Sequence, residues 1–203
     1  MKTDDMVRAV QQKLGIEVDG RAGPQTWGAI YQYIVRPQAQ PTVAFTAPKD
    51  KANDRSEKVI ATLLPQVRPY ARALFFKARD KGININIISG TRTFEEQDSL
   101  YAQGRSTRGP KVTNAGGGYS NHNFGIAFDV GVFEGSRYLP DSPKYKAVGA
   151  LGVDLGLEWG GNWKTIVDQP HFQLRPTWAA NLTEKQMLAE LRSRHDSGQP
   201  VFA

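Results

Sequence analysis

Ser120-Asn-His-Asn-Phe-Gly-Ile-Ala-Phe-Asp129 is the stretch on which the reading of this chain turns. Ala127, Asp129 and Gly131 alternate with Phe128, Val130 and Val132, the period of a strand with one apolar face. Asp129 belongs to the other face, and His122 approaches it from the glycine-containing turn that precedes the strand. A third group of the same kind lies in Asp168-Gln-Pro-His-Phe172, where Pro170 fixes its own backbone and disfavours helix at Gln169. Two imidazoles and a carboxylate are three protein ligands for zinc, with the fourth position open to water. Asp168, just before His171, is an extra carboxylate able to hold that water without binding the metal.

Taken singly, each residue has an ordinary explanation. A histidine near Gly and Asn commonly sits on a surface turn, and Asp129 can be a strand-end acid. The combination is what carries weight. The chain has 3 histidines, and His122 and His171 both fall in these motifs. His195 lies in a charged C-terminal stretch and reads as a solvated surface residue.

The pattern Ser-x-His-x-x-Gly-x-Ala-x-Asp followed by Asp-x-x-His resembles the zinc D-alanyl-D-alanine carboxypeptidases and L-alanyl-D-glutamate endopeptidases of bacterial wall metabolism. Ile87-Ile-Ser-Gly-Thr-Arg-Thr93 is similar to that family's strand ending in Ser-Gly-x-Arg-Ser/Thr. Glu96-Gln-Asp-Ser-Leu-Tyr-Ala-Gln-Gly-Arg105, Val112-Thr-Asn-Ala115 and Glu158-Trp-Gly-Gly-Asn-Trp163 resemble the endopeptidase branch found in phage endolysins. The likeness runs in order over residues 56 to 178. It implies one zinc per chain held by His122, Asp129 and His171, with Asp168 as proton acceptor. Arg92 would face a carbonyl oxygen or a substrate carboxylate. Ser120 and Gln97 would orient ligands by hydrogen bonds, and Trp159 and Trp163 would wall the cleft.

Ahead of this region the first 35 residues form a two-helix pattern. Val7, Val10 and Leu14 fall at helical spacing, Asp19-Gly20 reads as a turn, and Pro24 suits the start of a second helix. Trp27, Ile30, Tyr31 and Ile34 then make an apolar stripe. Gln11-x-x-Leu14 and Asp19-Gly-x-x-Gly-Pro-x-Thr26 resemble the small peptidoglycan-binding module of wall hydrolases. A helical hairpin packed on the main domain is the plainer reading of the same pattern. Pro37, Pro41 and Pro48 mark residues 36–55 as a linker, and residues 56–203 form the catalytic domain.

The expected fold is α+β: a small helical N-terminal module, a Pro-rich linker, and a catalytic domain with a central antiparallel sheet flanked by helices. Ser56 is read as a helix cap, with Pro65 and Pro69 breaking or kinking the segment behind it, and Ile83, Ile85 and Ile87 as a half-buried strand. Thr183-Glu-Lys-Gln186 is a capping box for a last packing helix, and residues after 195 read as a frayed tail.

Composition narrows the classes of function. With 39% hydrophobic residues the chain is a globular protein, and with no cysteine it has neither disulfides nor thiolate ligands. Its apolar runs are too short for membrane insertion. A net charge of +6 suits an anionic partner, but the basic residues are scattered and no nucleic-acid motif is present, so peptidoglycan is the expected partner of a monomeric chain. Met1-Lys-Thr-Asp-Asp-Met6 lacks the apolar core of a secretory signal, which with the endolysin resemblance places the chain in the host cytoplasm until lysis. The expected activity is cleavage of the L-alanyl-D-glutamate bond. The alternatives are a D-alanyl-D-alanine carboxypeptidase and a non-enzymatic peptidoglycan-binding protein with structural zinc.

Overall fold

The computed structural model describes residues 2–35 and 46–203, and the chain divides into two compact units, Met1–Phe45 and Thr46–Ala203. Of the linker expected over 36–55, residues 36–45 lie outside the described residues, and 46–53 form neither helix nor strand.

The first unit is built on α1 (Thr3–Leu14) and α2 (Pro24–Val35). Gly15 ends α1 in the left-handed region at φ 65°, where a side chain would be strained. What joins the two helices is a buried amide. Gln11 is 1% exposed, and its Nε2 reaches Asp19 Oδ1 at 2.6 Å, Arg21 O at 3.0 Å and Thr26 Oγ1 at 2.9 Å. Its Oε1 accepts from Gly20 N at 2.8 Å. The residues of the Gln11, Asp19-Gly20 and Thr26 motif are therefore one hydrogen-bond network that joins the two helices. Trp27, expected on the apolar stripe, is 60% exposed, and the side chains of Tyr31 and Ile34 lie outside those described.

The second unit opens with α3 (Asp54–Ile60). Its cap is Asn53, not Ser56: the Asn53 carboxamide accepts from Ser56 N at 2.9 Å. The buried Ser56 hydroxyl instead accepts from Ile87 N at 3.0 Å, tying the helix to β1 (Ile85–Ser89). Pro65 lies in the break before α4 (Arg68–Asp80), and Pro69 opens α4 without kinking it, because a first-turn N–H has no helical partner to lose. After α5 (Phe94–Ala102) come β2 (Ala127–Glu134), β3 (Arg137–Tyr138), α6 (Lys144–Asp154), β4 (Glu158–Trp159), β5 (His171–Gln173) and α7 (Glu184–Ser197).

The strands pair antiparallel in the order β1-β2-β5-β4, with β3 on β2, so the architecture is α+β. Ile85, Ile87, Phe128, Val130, Val132 and Phe172 form the apolar side of the sheet, and α3, α4 and α6 cover them with Ile60, Leu74 and Val148. A second cluster of Phe124, Ile126, Met187 and Leu191 seats α7, whose Thr183/Gln186 capping box is formed. The C-terminus is not frayed: Val201 and Phe202 pack on this cluster, and Trp178 Nε1 donates to Val201 O at 2.7 Å. Among the described residues no helix is long and apolar enough to cross a membrane.

α6 lies flat on the sheet because it presents glycines to it. A Cβ at Gly152 would lie 2.3 Å from the Phe172 ring, and one at Gly149 would lie 2.4 Å from Trp159. Gly152→Ala gains helix propensity of about 1 kcal/mol. It must nevertheless displace a fully buried ring, an overpacking penalty of roughly 1–3 kcal/mol or more. Chemical denaturation should show a net loss of stability; a more stable variant would mean that α6 lifts from the sheet at no cost.

Candidate metal centre and active site

Strand register assembles the site. β1 pairs with β2 so that Ser89 faces Asp129, after a bulge between Ile87 and Ser89. On the other side of β2, Asp129 is opposite His171 of β5. Asp129 thus stands on the face away from the apolar core, beside His171, with Val130 N bonded to Pro170 O at 2.9 Å. His122 arrives from the 3-10 turn Asn121–Phe124, which Gly125 closes at φ 68°. Two anchors hold that turn to the segment after β1. Arg92 N donates to His122 O at 3.1 Å, and Asn123 Nδ2 donates to Arg92 O and Thr93 O, both at 3.1 Å. On its other side this segment runs close to the end of α3, where a Cβ on Gly90 would sit 2.4 Å from Thr62 Oγ1.

His122 Nε2 lies 3.3 Å and His171 Nδ1 3.4 Å from the same Asp129 oxygen, Oδ1. The hydrogens on the far sides of the rings are accounted for. His122 Nδ1 is 2.8 Å from Gly90 O, a group that only accepts, so Nδ1 carries the hydrogen and Nε2 a lone pair. His171 Nε2 lies 2.9 Å from Gln173 Oε1, which leaves the lone pair on Nδ1. Three electron-pair donors then converge, all within 4.8 Å of one another and mostly out of water, an arrangement that a divalent cation relieves. The donor set of two imidazoles and a carboxylate fits zinc. Burial raises the Asp129 carboxyl, but the two imidazoles beside it outweigh that and hold it well below the usual range. For His171 in the metal-free chain burial acts downward, but a proton on Nδ1 would bond to Asp129 and feel its charge, which lifts the ring above its ordinary value until a metal displaces that proton.

Around these groups opens a cleft of about 1170 Å3, lined also by Arg92, Ser120, Asp168, Trp159 and Trp163. Asp168 N donates to Gly160 O at 3.0 Å, and a Cβ on Gly160 would meet Asp168 O at 2.5 Å, so glycine lets the loop close on itself. Burial, then the charge of Asp129, raises the Asp168 carboxyl above its usual value against the pull of His171, His122 and Arg92. Trp163 packs its ring 4.8 Å from His171. Arg92, expected to face substrate, lines the cleft with both terminal nitrogens engaged. Its Nη2 donates to Asp129 Oδ2 at 2.9 Å and to Ser89 Oγ at 2.7 Å. Its Nη1 donates to Gln97 Oε1 at 3.2 Å, and the fully buried Gln97 donates in turn to Ala115 O at 2.8 Å. Ser120 lines the cleft at the start of the histidine turn. His195 is half exposed and stacks on Phe94, away from the cleft.

Ser89, Asn121, Asn123 and Gln173 are the site residues that sequence reasoning did not single out. Ser89, Asn121 and Asn123 stood inside the motifs already quoted, but a short polar residue at a strand end or in a turn carries no signal of its own. Gln173 follows His171 by one strand repeat, and only the pairing of β4 with β5 shows what it touches.

The chain is similar to several known proteins. The family model described as D-alanyl-D-alanine carboxypeptidase matches residues 113–174, and a peptidoglycan binding domain model matches residues 2–30. The chain is 38% identical over 128 residues to the peptidoglycan L-alanyl-D-glutamate endopeptidase CwlK of Bacillus subtilis (strain 168), covering 58% of this chain and 77% of that protein. It is 30% identical over 122 residues to the L-alanyl-D-glutamate peptidase of Listeria phage A118, covering 59% of this chain and 40% of the relative. The solved L-Ala D-Glu endopeptidase ChiX of Serratia marcescens superposes with a TM-score of 0.47 at 23% identity, over 66% of this chain and 94% of ChiX.

The fold and site define a zinc metallopeptidase carrying a peptidoglycan-binding module. The chain belongs to the family of peptidoglycan L-alanyl-D-glutamate endopeptidases that includes CwlK, and zinc is its cofactor.

Metal analysis of the purified chain should find about one zinc per molecule, and chelation should abolish hydrolysis. His122→Ala and His171→Ala should each lose both metal and turnover. Full zinc occupancy with full activity in either variant would overturn the assignment of the three ligands.

Proposed function

We propose that this protein is a peptidoglycan hydrolase that cleaves the L-alanyl-D-glutamate bond of the wall stem peptide for host cell lysis, as a phage endolysin does. The observation that carries the reading is the three converging lone pairs of His122, Asp129 and His171 beside the carboxylate of Asp168 in one open cleft. A purely structural metal gains nothing from such a carboxylate, which disfavours a non-enzymatic wall-binding protein. The likeness to CwlK along most of that protein's length supports the bond assigned.

His122, Asp129 and His171 are the residues that would hold zinc, which when bound supplies a Lewis acid for the scissile carbonyl and lowers the pKa of attacking water. Asp168 takes the proton of that water and delivers it to the leaving amine. In the metal-free chain burial and the charge of Asp129 raise its carboxyl, and it stands in the same cleft as the three ligands. Arg92 acts through Asp129: by occupying Oδ2 it leaves Oδ1 for the metal. Gln97 holds the other Arg92 nitrogen, and Ser120 shapes the start of the histidine turn.

The second reading is removal of a terminal D-alanine, favoured by the family model matched over residues 113–174. Mass spectrometry of digested sacculi separates the two. New N-terminal D-glutamate is expected, and free D-alanine instead would establish the carboxypeptidase.

Asp168→Ala should keep its zinc and lose activity by ~10²–10⁴-fold, since only the proton acceptor goes. Zinc loss in this variant would make Asp168 a ligand and leave the base unassigned.

Residues 1–35 act as a targeting module, 36–55 as linker and 56–203 as the catalytic domain, working as a monomer that reaches the wall from the cytoplasm at lysis. A chain beginning at Thr46, which keeps the Asn53 cap, should cut soluble muropeptides at the full-length rate and intact sacculi more slowly. Equal rates on sacculi would leave residues 1–35 without a targeting role.

A further inference from the structure

Gln173 is fully buried two residues beyond His171, and nothing in the proposed chemistry uses it. Its amide has one allowed orientation. Nε2 donates to Glu158 Oε2 at 2.6 Å, and a carboxylate can only accept, so the nitrogen must face Glu158. The oxygen Oε1 therefore faces the other way, where it meets His171 Nε2 at 2.9 Å and Asn121 Nδ2 at 2.5 Å. Glu158 is itself held: Arg175 Nε donates to its other oxygen, and Arg175 Nη2 donates to Glu184 Oε2 at 2.9 Å. Asn121 Nδ2 also donates to Glu184, which fixes the second amide in the same sense.

We infer that Gln173, oriented by Glu158 and Asn121, is the positioning residue that sets which ring nitrogen His171 turns to the metal. The inference rests on the zinc reading above. An amide oxygen cannot donate, so His171 must carry its hydrogen on Nε2 and keep its lone pair on Nδ1, toward Asp129 Oδ1. If the Gln173 amide were reversed, its N–H would face His171 Nε2 and draw the lone pair to the wrong side of the ring. The Arg175–Glu158 pair prevents the reversal from the far end. The arrangement comes at a cost that packing alone would not require. Asn121 Oδ1 is the buried side-chain atom left without a hydrogen-bond partner among the described residues, because the Asn121 amide faces its nitrogen to Gln173 and Glu184.

The test uses the full-length, zinc-loaded protein with 15N-labelled histidine. In the wild type, long-range 1H–15N spectra should show His171 protonated at Nε2 and metal-bound through Nδ1, with a slowly exchanging Nε2 hydrogen. His122 should show the opposite assignment, bound through Nε2. In Gln173→Leu, which keeps the side-chain size and removes the acceptor, the His171 hydrogen should exchange fast. Zinc affinity by chelator competition should fall ~10–100-fold. Metal-bound Nε2 at His171 in the wild type would overturn the inference, whether or not the variant folds. So would a folded Gln173→Leu with unchanged affinity and an unchanged His171 spectrum. A wild type that takes up no zinc would instead refute the zinc reading beneath it.

Discussion

The whole site depends on the register of one strand. β2 is paired on both sides at the same residue: Asp129 faces Ser89 of β1 and His171 of β5. Side chains on a strand alternate between faces, so a slip of one residue in either pairing would turn Asp129 into the apolar layer and Phe128 or Val130 into the cleft. The core prevents that slip. Phe128, Val130, Val132 and Phe172 are fully buried against α3, α4 and α6, and moving them out would forfeit most of the burial that holds the second unit together. The metal site is thus stabilised by hydrophobic contacts on the opposite face of the same strand.

Around that register the structure directs each polar hydrogen. His122 gives its outward hydrogen to a backbone carbonyl, His171 to an amide, and Arg92 occupies the outer oxygen of Asp129. What remains inward is lone pairs. Three such donors facing one another suit a cation: in the metal-free chain a proton on His171 beside Asp129 is favoured, and a divalent ion would take its place. Asp168 differs from Asp129 in just this respect. No cationic group reverses its burial, and its carboxyl is raised where that of Asp129 is lowered. Two aspartates in one cleft are thereby pushed toward different work.

The first unit uses another solution to the same difficulty of size. A two-helix module has few apolar side chains to bury, and here a buried glutamine bonded to Asp19, Gly20, Arg21 and Thr26 supplies the junction. Trp27, on the helix that this network anchors, is 60% exposed.

Much of this was legible in the amino-acid order. Strand periodicity marked β2, histidine scarcity and spacing marked His122, Asp129 and His171 as a group, and motif likeness extended the site to Arg92, Gln97 and Asp168. These signals are local: they concern residues within one strand or turn, where spacing translates directly into facing. Helix starts were misjudged where two polar residues competed, as Asn53 and Ser56 did, because capping depends on which side chain the tertiary structure claims for another purpose. The C-terminal Val201 and Phe202 looked like tail because nothing local shows that Trp178 and the second cluster receive them. By itself the sequence determined α1, α2, β1, β2 and the last helix, the facing of β2, and the chemical types at the site. Tertiary structure alone decided that Arg92 bonds Asp129 and that Asn121 and Glu158 meet Gln173, since hydrogen bonds between elements arise from strand pairing and loop closure over long sequence separations.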